Sequence, residues 1–306
     1  MSERLHPALA SAYEQCRRIQ ADHGRSFYRA ATLLPRSRRR HVWAIYAFAR
    51  VTDDIVDTMP TGADTRERDL TAWRTESLDA LEAPTPPHPL AQPVLAATWH
   101  TLSVLRLPTR LLGEFFDSME LDLHVTRYET WADLQRYMRG SAAVIGELMA
   151  PVLSAPEEST PYAALLGEAF QLTNFIRDVT EDLALGRVYL PLEDLAAHDV
   201  DVSVLTDCAA RGTVTSGVAD LLAFEIERAR ELYAAAAPGV PMLPAAVRPC
   251  IRASIALYGG ILTEVERAEY NVFAGRVVVP SARRLAAVTR ALSRPAGDSR
   301  ESTRRP

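Results

Sequence analysis

The 306-residue sequence predicts an all-α protein, and three observations carry that prediction. Apolar residues recur every three or four positions through most of the chain, which is the period of an amphipathic helix. Strict alternation of apolar and polar residues, the pattern of a half-buried strand, is almost absent. Two Pro- and Ser-rich segments, EAPTPPHPLAQP and SAPEESTP, interrupt the helical pattern without a change in composition, so they indicate loops within one domain.

The helical period predicts ten helices. In chain order they cover 7–22, 36–58, 64–81, 90–105, 108–124, 131–153, 160–185, 215–237, 244–273 and 281–293. We expect one helical domain over residues 1–295. A disordered tail is expected over 296–306, since the terminal segment RPAGDSRESTRRP is polar and breaks helices.

Composition excludes several classes of function. The net charge of -5 argues against nucleic acid as a partner, because nucleic-acid-binding proteins carry a basic surface. Cys16, Cys208 and Cys250 are widely spaced and lack a C-x-x-C motif, which suits a reducing cytoplasm better than a disulfide framework or a zinc site. The N-terminal segment is charged rather than signal-like, and no run reaches the roughly 18 apolar residues of a membrane span. We therefore expect a cytoplasmic protein.

A first acidic motif lies in the predicted helix 36–58, within HVWAIYAFARVTDDIVD. Its polar residues recur at steps of three to four positions, and apolar residues could cover the opposite side of the helix. The residues of this stripe are Tyr46, Arg50, Asp53, Asp54 and Asp57.

A second acidic motif, NFIRDVTEDL, lies in the predicted helix 160–185. Gln171, Asn174, Asp178 and Asp182 step by three, four and four residues and share one stripe. Like charges at this spacing cost a helix about 0.2–0.5 kcal/mol, so solvent, arginines or a divalent cation must offset the repulsion. Because the acidic spacing occurs twice in the same apolar context, we favour a shared site for Mg²⁺, which prefers carboxylate and amide oxygens.

Two acidic helices that face each other across a cavity would gather metal ions at one mouth. Such ions would hold a diphosphate and stabilise it as a leaving group. Loss of diphosphate from an allylic carbon leaves a carbocation, which requires a dry and largely apolar cavity. The residues therefore favour chemistry on an allylic diphosphate.

Two further features each have two interpretations at this point. Arg187 follows the second motif by one turn and either caps the helix, which Gly186 closes, or meets phosphate. Small residues along LQRYMRGSAAVIGELMAP either let two helices pack closely or leave width for an isoprenoid tail. These small residues are Gly140, Ser141, Ala142, Ala143 and Gly146.

Four segments resemble the phytoene and squalene synthase family in order and spacing, over nearly the whole chain. They are HGRSFYRAATLLPRSRRRHVWAIYAFARVTDDIVD, YMRGSAAVIGELMAP, LGEAFQLTNFIRDVTEDLALGRVYLP and NVFAGRVVVPSARRL. The third is the most specific, since it contains G-x-x-x-Q-x-x-N-x-x-R-D-x-x-x-D followed by G-R-x-Y-L-P. The resemblance implies a single-domain, isoprenoid-synthase-type helical bundle with a central apolar cavity.

The same resemblance implies a role for individual residues. The metal-facing set would be Asp53, Asp57, Asn174, Asp178 and Asp182, with Mg²⁺ as cofactor and Mn²⁺ as a substitute. The four aspartates and Tyr137, which matches the motif tyrosine beside the reacting centre, would be the catalytic residues. Substrate would contact Ser26, Phe27, Tyr46, Arg50, Gln171, Arg177, Tyr189, Tyr258 and Arg276.

The resemblance also implies a reaction, the head-to-head condensation of two allylic diphosphates through a cyclopropyl diphosphate. The motif YMRGSAAVIG and the lack of an anchoring C-terminal helix are most similar to those of bacterial phytoene synthases. That favours two geranylgeranyl diphosphates joined through prephytoene diphosphate to phytoene, in carotenoid biosynthesis, ending by proton loss without NADPH. Because its substrate and product are lipidic, we expect reversible peripheral contact with the inner face of a membrane.

Three alternatives stay open. The chain could be a squalene or dehydrosqualene synthase that uses two farnesyl diphosphates, since chain length is set by cavity volumes that a sequence does not display. It could be a related terpene synthase that cyclises one substrate, or a catalytically silent binding protein. Two departures from phytoene synthases are present. DDIVD stands in place of DELVD, and the pair Gly259-Gly260 beside Tyr258 leaves the cavity shape there undetermined. The oligomeric state is also undetermined.

Overall fold

The computed structural model describes residues 5–57 and 63–293, and within these residues the chain is helical and contains no β-strand. The all-α prediction is confirmed. In chain order the α-helices are α1 (Pro7–His23), α2 (Arg25–Ala31), α3 (Arg36–Asp57), α4 (Ala63–Glu82), α5 (Pro93–Leu105), α6 (Arg110–His124), α7 (Trp131–Met138), α8 (Val144–Val152), α9 (Thr160–Arg177), α10 (Val179–Ala184), α11 (Leu192–Ala197), α12 (Val202–Arg211), α13 (Ser216–Ala236), α14 (Arg248–Arg267) and α15 (Ser281–Ser293). The predicted domain boundary at 295 and the tail at 296–306 lie outside the described residues.

Several predicted helices are shorter or more divided than the sequence pattern indicated. A π-helical turn, Arg139–Ala143, joins α7 to α8 inside the predicted helix 131–153. The predicted helix 160–185 breaks at Asp178, whose backbone angles of φ -101° and ψ 19° are not helical. The predicted helix 244–273 ends at Arg267, because positive φ angles at Glu269 and Tyr270 cannot continue a helix.

Three short helices were not predicted. They are α2, α11 and α12, with seven, six and ten residues. Two turns of helix carry too few apolar positions to show a period, which explains why α2 and α11 were missed. The longer α12 begins at Asp201, whose side chain accepts hydrogen bonds from the backbone amides of Ser203 and Val204, and this capping signal was overlooked.

The first acidic helix, α3, owes its orientation to its apolar stripe. Ala44, Ile45, Phe48 and Val56 are buried at helical spacing and pack against residues of α1, α5, α6 and α8. Burying a side chain as large as Phe48 stabilises the fold by about 1.5–3 kcal/mol. Since this stripe is held in the core, the aspartates at the end of the helix lie on the opposite, accessible side.

The second acidic helix, α9, lies against α8, α13 and α14. Leu172, Phe175 and Ile176 on its apolar side belong to a second core cluster that includes residues of α7, α13 and α14. Each acidic helix is therefore backed by its own apolar cluster.

Close contact between helices depends on glycines of the small-residue segment. A methyl group on Gly146 would lie 2.1 Å from the carbonyl oxygen of Ala163 on α9, and one on Gly140 would lie 2.3 Å from the carbonyl oxygen of Glu114 on α6. Backbone atoms cannot yield to such an overlap without a shift of the helices. For these two glycines the structure confirms the interpretation as a packing device.

Gly146 and Gly113 form a matched pair of helical glycines, and the difference between them gives a testable prediction. Gly146→Ala should lower the free energy of unfolding by about 1–3 kcal/mol, because the methyl group overlaps the backbone of α9. Gly113→Ala should raise it by about 0.5–1 kcal/mol, since Gly113 has no atom within 4 Å of the added methyl and alanine favours the helix. Urea denaturation measures both values, and equal stability of the two variants would contradict this packing account.

Candidate active site

The first acidic motif ends α3 with three aspartates in two different environments. Arg50, one turn earlier, forms an ion pair with Asp54. Asp57 instead accepts a hydrogen bond from Arg187, which lies 130 residues further along the chain, with an Nη1–Oδ1 distance of 2.6 Å. Asp54 therefore forms an ion pair within α3. Asp57 instead contacts the segment that follows the second motif.

The second acidic motif keeps its stripe although the helix breaks. The amide of Asp182 donates to the carbonyl oxygen of Asp178 at 2.9 Å, so the helical step of four residues continues across the junction of α9 and α10. Arg177 donates to both oxygens of the Asp178 carboxylate, at 2.6 and 2.5 Å. Arg276 adds a third contact to this carboxylate at 3.0 Å. Two of the predicted diphosphate-binding arginines thus lie together at Asp178.

Arg187 brings the two motifs together. Its guanidinium contacts Asp57 of the first motif, and its own amide donates to the carbonyl oxygen of Asp182 in the second at 2.9 Å. The residue is only 6% exposed. An arginine buried this deeply is stable only when its charge is paired, so the contact with Asp57 fixes the end of α3 beside α10.

Burial and crowding hinder ionisation of two carboxyls. Burial and the neighbouring charge of Asp57 raise the pKa of Asp53 to about 7, although its side chain keeps some contact with solvent. Burial and the neighbouring charge of Asp178 raise the pKa of Asp182 to about 8, and Asp57 adds to that rise. The effect of Asp57 on both carboxyls shows that the two motifs share one electrostatic environment, which carries more acidic than basic side chains.

The residues of the two motifs suit a hard divalent cation. Asn174 lies one turn before Asp178, and its side-chain carbonyl oxygen is buried without a hydrogen-bond partner among the described residues. A buried oxygen without a partner costs about 1–3 kcal/mol, which a metal ligand bond would remove. Among residues 5–57 and 63–293, no three His, Cys, Asp or Glu side chains are grouped closely enough to hold a metal ion. Donors from a bound diphosphate would therefore have to complete the coordination.

A tyrosine network adjoins this acidic region. Tyr137 on α7 donates its hydroxyl to Oδ2 of Asp122 at 2.6 Å, and Tyr189 donates to Oδ1 of the same carboxylate at 3.0 Å. The ring of Tyr189 stacks on Phe175 with centroids 4.1 Å apart. Tyr137 and Tyr189, which the sequence assigned to separate roles, therefore share one carboxylate.

The remaining predicted site residues lie on four helices. Phe27 of α2 stacks on Tyr258 of α14 with ring centroids 4.4 Å apart, and Ser26 precedes it on α2. Burial raises the pKa of the Tyr258 hydroxyl, and the charge of Arg177 opposes that rise. Gln171 accepts a weak hydrogen bond from Asn174 at 3.4 Å.

Tyr46 of α3 lies against a glycine. A methyl group on Gly24 would approach its ring to 2.6 Å, so a larger residue before α2 would require the Tyr46 side chain to move. The helix that carries Ser26 and Phe27 is thereby held next to the first acidic helix.

The space beside Asp182 is small. A pocket lined by Asp182, Arg187, Tyr189, Phe175 and Leu205, together with Val179, Leu183, Val188 and Leu190, has a volume of about 10 Å³. Such a volume holds at most one water molecule. A prenyl chain could enter at this point only if the lining side chains moved apart.

Two residues of this site were not assigned from the sequence. For Arg187 the sequence indicates a helix cap or a phosphate contact, and neither of these is the ion pair with the first motif that the structure shows. Asp122 was not considered, because MELDLH on α6 contains no acidic spacing or known motif. The contacts of both residues depend on distant segments and are not visible in any local pattern.

Within the part of the chain that the structure describes, no helix has the length and hydropathy to cross a membrane. Reversible contact with a bilayer remains a prediction.

Comparison with known proteins identifies a family and a fold. The family model described as squalene/phytoene synthase matches residues 20–283. Phytoene synthase of Arthrospira platensis is 35% identical over 290 residues, covering 90% of this chain and 91% of that protein. The 15-cis-phytoene synthase of Synechococcus elongatus is 33% identical over 300 residues, covering 94% of each chain.

Two solved structures share the arrangement of helices. A crystal structure of a dehydrosqualene synthase in complex with ligand superposes with a TM-score of 0.84 at 26% identity, covering 93% of this chain and 96% of that one. A squalene synthase from Alicyclobacillus acidocaldarius gives a TM-score of 0.76 at 26% identity, covering 87% and 97%. The isoprenoid-synthase-type fold expected from the sequence is confirmed.

Asp182→Asn tests whether the second motif binds a cation. The substitution keeps the shape but removes the charge that a hard cation prefers, so affinity for Mn²⁺ in the presence of inorganic diphosphate should fall by roughly 10–100-fold. The free energy of unfolding without metal should stay within about 0.5 kcal/mol or rise, since the repulsion with Asp178 is relieved. Titration calorimetry and urea denaturation measure the two quantities.

The matched control is Asp207→Asn on α12, which removes a carboxylate that is 70% exposed and paired with Arg211. This variant should bind Mn²⁺ like the wild type. Unchanged Mn²⁺ affinity in Asp182→Asn would exclude Asp182 as a ligand.

Proposed function

Since the chain belongs to the squalene/phytoene synthase family, we propose that it condenses two geranylgeranyl diphosphates head to head into phytoene through prephytoene diphosphate. Family membership makes the protein a prenyl transferase of isoprenoid biosynthesis. The choice of substrate, product and metal is the proposal.

One observation carries the proposal: the two acidic motifs meet at Arg187. Asp57 and Asp182 come from helices more than a hundred residues apart, yet the charge of the first raises the pKa of the second. A reaction that removes two diphosphates needs one place where several negative charges are neutralised. Magnesium ions held by Asp53, Asp57, Asn174, Asp178 and Asp182 would neutralise diphosphate charge and make it a better leaving group.

Two arginines beside the second motif could bind and orient a diphosphate. Arg177 and Arg276 both lie at the Asp178 carboxylate, and an arginine fork suits the paired oxygens of a phosphate. Arg276 is half-exposed, so its side chain can turn from the carboxylate toward an incoming anion. We expect these two residues to fix the diphosphate while the prenyl chain extends into the bundle.

Two groups of aromatic side chains include residues of α9, the helix that leads into the second acidic motif. Phe27, Phe170 and Tyr258 are in mutual contact in one group, and Phe175 and Tyr189 are stacked in the other. Such rings exclude water, which would otherwise capture a carbocation. Their faces also attract positive charge without offering it a nucleophile.

The reaction ends, in this proposal, by proton loss rather than by reduction. The proton passes to a weak base, because a carbocation is a strong acid, and the buried hydroxyl of Tyr137 is the side chain we assign to this step. No reductant is then needed, which separates phytoene from products that require hydride from NADPH.

Support for a twenty-carbon substrate comes from sequence similarity. The two phytoene synthases described above are 33% and 35% identical to this chain, and the dehydrosqualene and squalene synthase structures are each 26% identical. Condensation of two farnesyl diphosphates to squalene or dehydrosqualene is the alternative, and it would use the same acidic site. A related terpene synthase that cyclises a single substrate is a second alternative.

A product assay tests this function. The purified protein is incubated with Mg²⁺ and either geranylgeranyl or farnesyl diphosphate, with and without NADPH, and the hydrocarbons are identified by mass. We expect phytoene from the longer substrate in a yield that NADPH does not change. Chelation of divalent cations should abolish turnover, and added Mg²⁺ or Mn²⁺ should restore it.

Each contrary result points to a defined alternative. A thirty-carbon hydrocarbon formed only from farnesyl diphosphate would favour squalene or dehydrosqualene synthesis, and dependence on NADPH would favour squalene. A cyclic product from one substrate molecule would favour a terpene synthase. Full activity in chelator would refute the metal assignment.

A further inference from the structure

Asp122 is a buried carboxylate whose two oxygens both accept hydrogen bonds from tyrosines. The residue lies in the last turn of α6 and is 8% exposed. Oδ2 accepts from Tyr137 at 2.6 Å and Oδ1 accepts from Tyr189 at 3.0 Å. Burial raises the pKa of Asp122 to about 6, and the charge of Arg187 opposes that rise. The carboxyl is therefore a stronger base than an exposed aspartate, yet it is mostly ionised at neutral pH.

The guanidinium of Arg187 lies beside Asp122 but donates to its backbone rather than to its carboxylate. Its Nη2 donates to the backbone carbonyl oxygen of Asp122 at 3.2 Å, while its Nη1 contacts Asp57. Asp122 is thus separated from the diphosphate-binding motif by one side chain. Its carboxylate is directed toward the tyrosines.

Joining the neighbouring loops does not require a charge at this position. The loop after α6 and the loop after α10 are already joined by backbone hydrogen bonds, from Val188 to Thr126 at 2.8 Å and from Leu192 to Tyr128 at 2.9 Å. A neutral acceptor would satisfy the tyrosine hydroxyls at a lower desolvation cost than a buried carboxylate. The charge balances the buried guanidinium of Arg187, and the short hydrogen bond that directs the carboxylate to Tyr137 is the feature that calls for a further explanation.

We propose that Asp122 is a positioning residue that takes up the proton which Tyr137 removes from the carbocation. The 2.6 Å bond to Tyr137 carries this inference, which also rests on the proposed function. A neutral tyrosine is a poor base, but a hydroxyl that already donates to a carboxylate can accept one proton while it passes on its own.

The step balances in atoms and electrons. The C–H bond next to the cationic carbon breaks, and its electron pair becomes the second bond of a new C=C double bond. The proton goes to the oxygen of Tyr137, while the proton that this hydroxyl carried goes to Oδ2 of Asp122. Tyr137 ends neutral and Asp122 ends as the neutral acid. Asp122 loses its proton to water after the products leave, which restores the starting state.

Asp122→Asn tests the proposal, because asparagine has the same size and can still accept from one tyrosine but cannot take up a proton. With geranylgeranyl diphosphate and Mg²⁺, kcat should fall on the order of a hundredfold while KM is unchanged. The fraction of alcohols and isomeric hydrocarbons among the products should rise, since carbocations that are not deprotonated are captured by water or diphosphate. Mass analysis of products, with diphosphate release measured separately, gives both readouts.

The matched control is Asp117→Asn, the same substitution on the same helix at a side chain that is 64% exposed and paired with Arg74. It should match the wild type in kcat and product ratio. Asp122→Glu keeps a carboxylate one methylene longer, so it should keep the wild-type product ratio at a reduced rate. If Asp122→Asn fails to fold, the product ratio of Asp122→Glu is the quantity that tests the proposal.

Two results would overturn the inference. One is a wild-type product ratio in folded Asp122→Asn, whatever its rate, because loss of positioning alone slows the enzyme without diverting the carbocation. The other is a shifted ratio in Asp122→Glu. A wild-type protein that makes no forty-carbon hydrocarbon would refute the proposed function instead, so the two failures are distinguishable.

Discussion

The structure depends on the ion pair between Arg187 and Asp57. It joins two acidic segments that repel each other and lie far apart in the chain, and it does so with a guanidinium that is almost fully buried. Without this pair the guanidinium would keep only part of its balancing charge, mainly that of Asp122, and the cost would lie below the roughly 3–5 kcal/mol of a fully buried pair because Asp57 is 40% exposed. Burial, together with the charge of neighbouring carboxylates, raises the pKa values of Asp53 and Asp182. The acidic side chains of the two motifs outnumber the arginines beside them, which leaves a shortage of positive charge. The same shortage makes the region suited to cations and to the diphosphates they carry.

The apolar parts of the bundle keep this crowded region in place. Each acidic helix is fixed from behind by its own core cluster, so neither helix can turn its carboxylates away from the other without exposing apolar surface. Gly140 lets its segment approach α6 closely, and Gly146 lets α8 approach α9 closely. Backbone hydrogen bonds between the loops after α6 and α10 then set Tyr189 beside Asp122. Packing thus determines the electrostatics of the site.

The sequence predicted the parts of this arrangement that have a local signature. The steps between Asn174, Asp178 and Asp182 are short, and they survive the break in the helix because the hydrogen bond from Asp182 to Asp178 is kept. The role of Asp122 has no such signature, since both of its partners come from later segments. The ion pair of Arg187 with Asp57 joins residues 130 positions apart, so no local sequence pattern predicts it. Short helices such as α2 escaped because two turns show no period.

The most direct test of the account is a crystal structure grown with Mn²⁺ and a prenyl thiodiphosphate that cannot ionise, with the metal located by anomalous scattering. The account predicts ions that bridge the diphosphate to carboxylates of both motifs, with the side-chain oxygen of Asn174 among the ligands. Ions bound at one motif only, with the diphosphate of the analogue elsewhere, would contradict the claim that the two motifs form a single site.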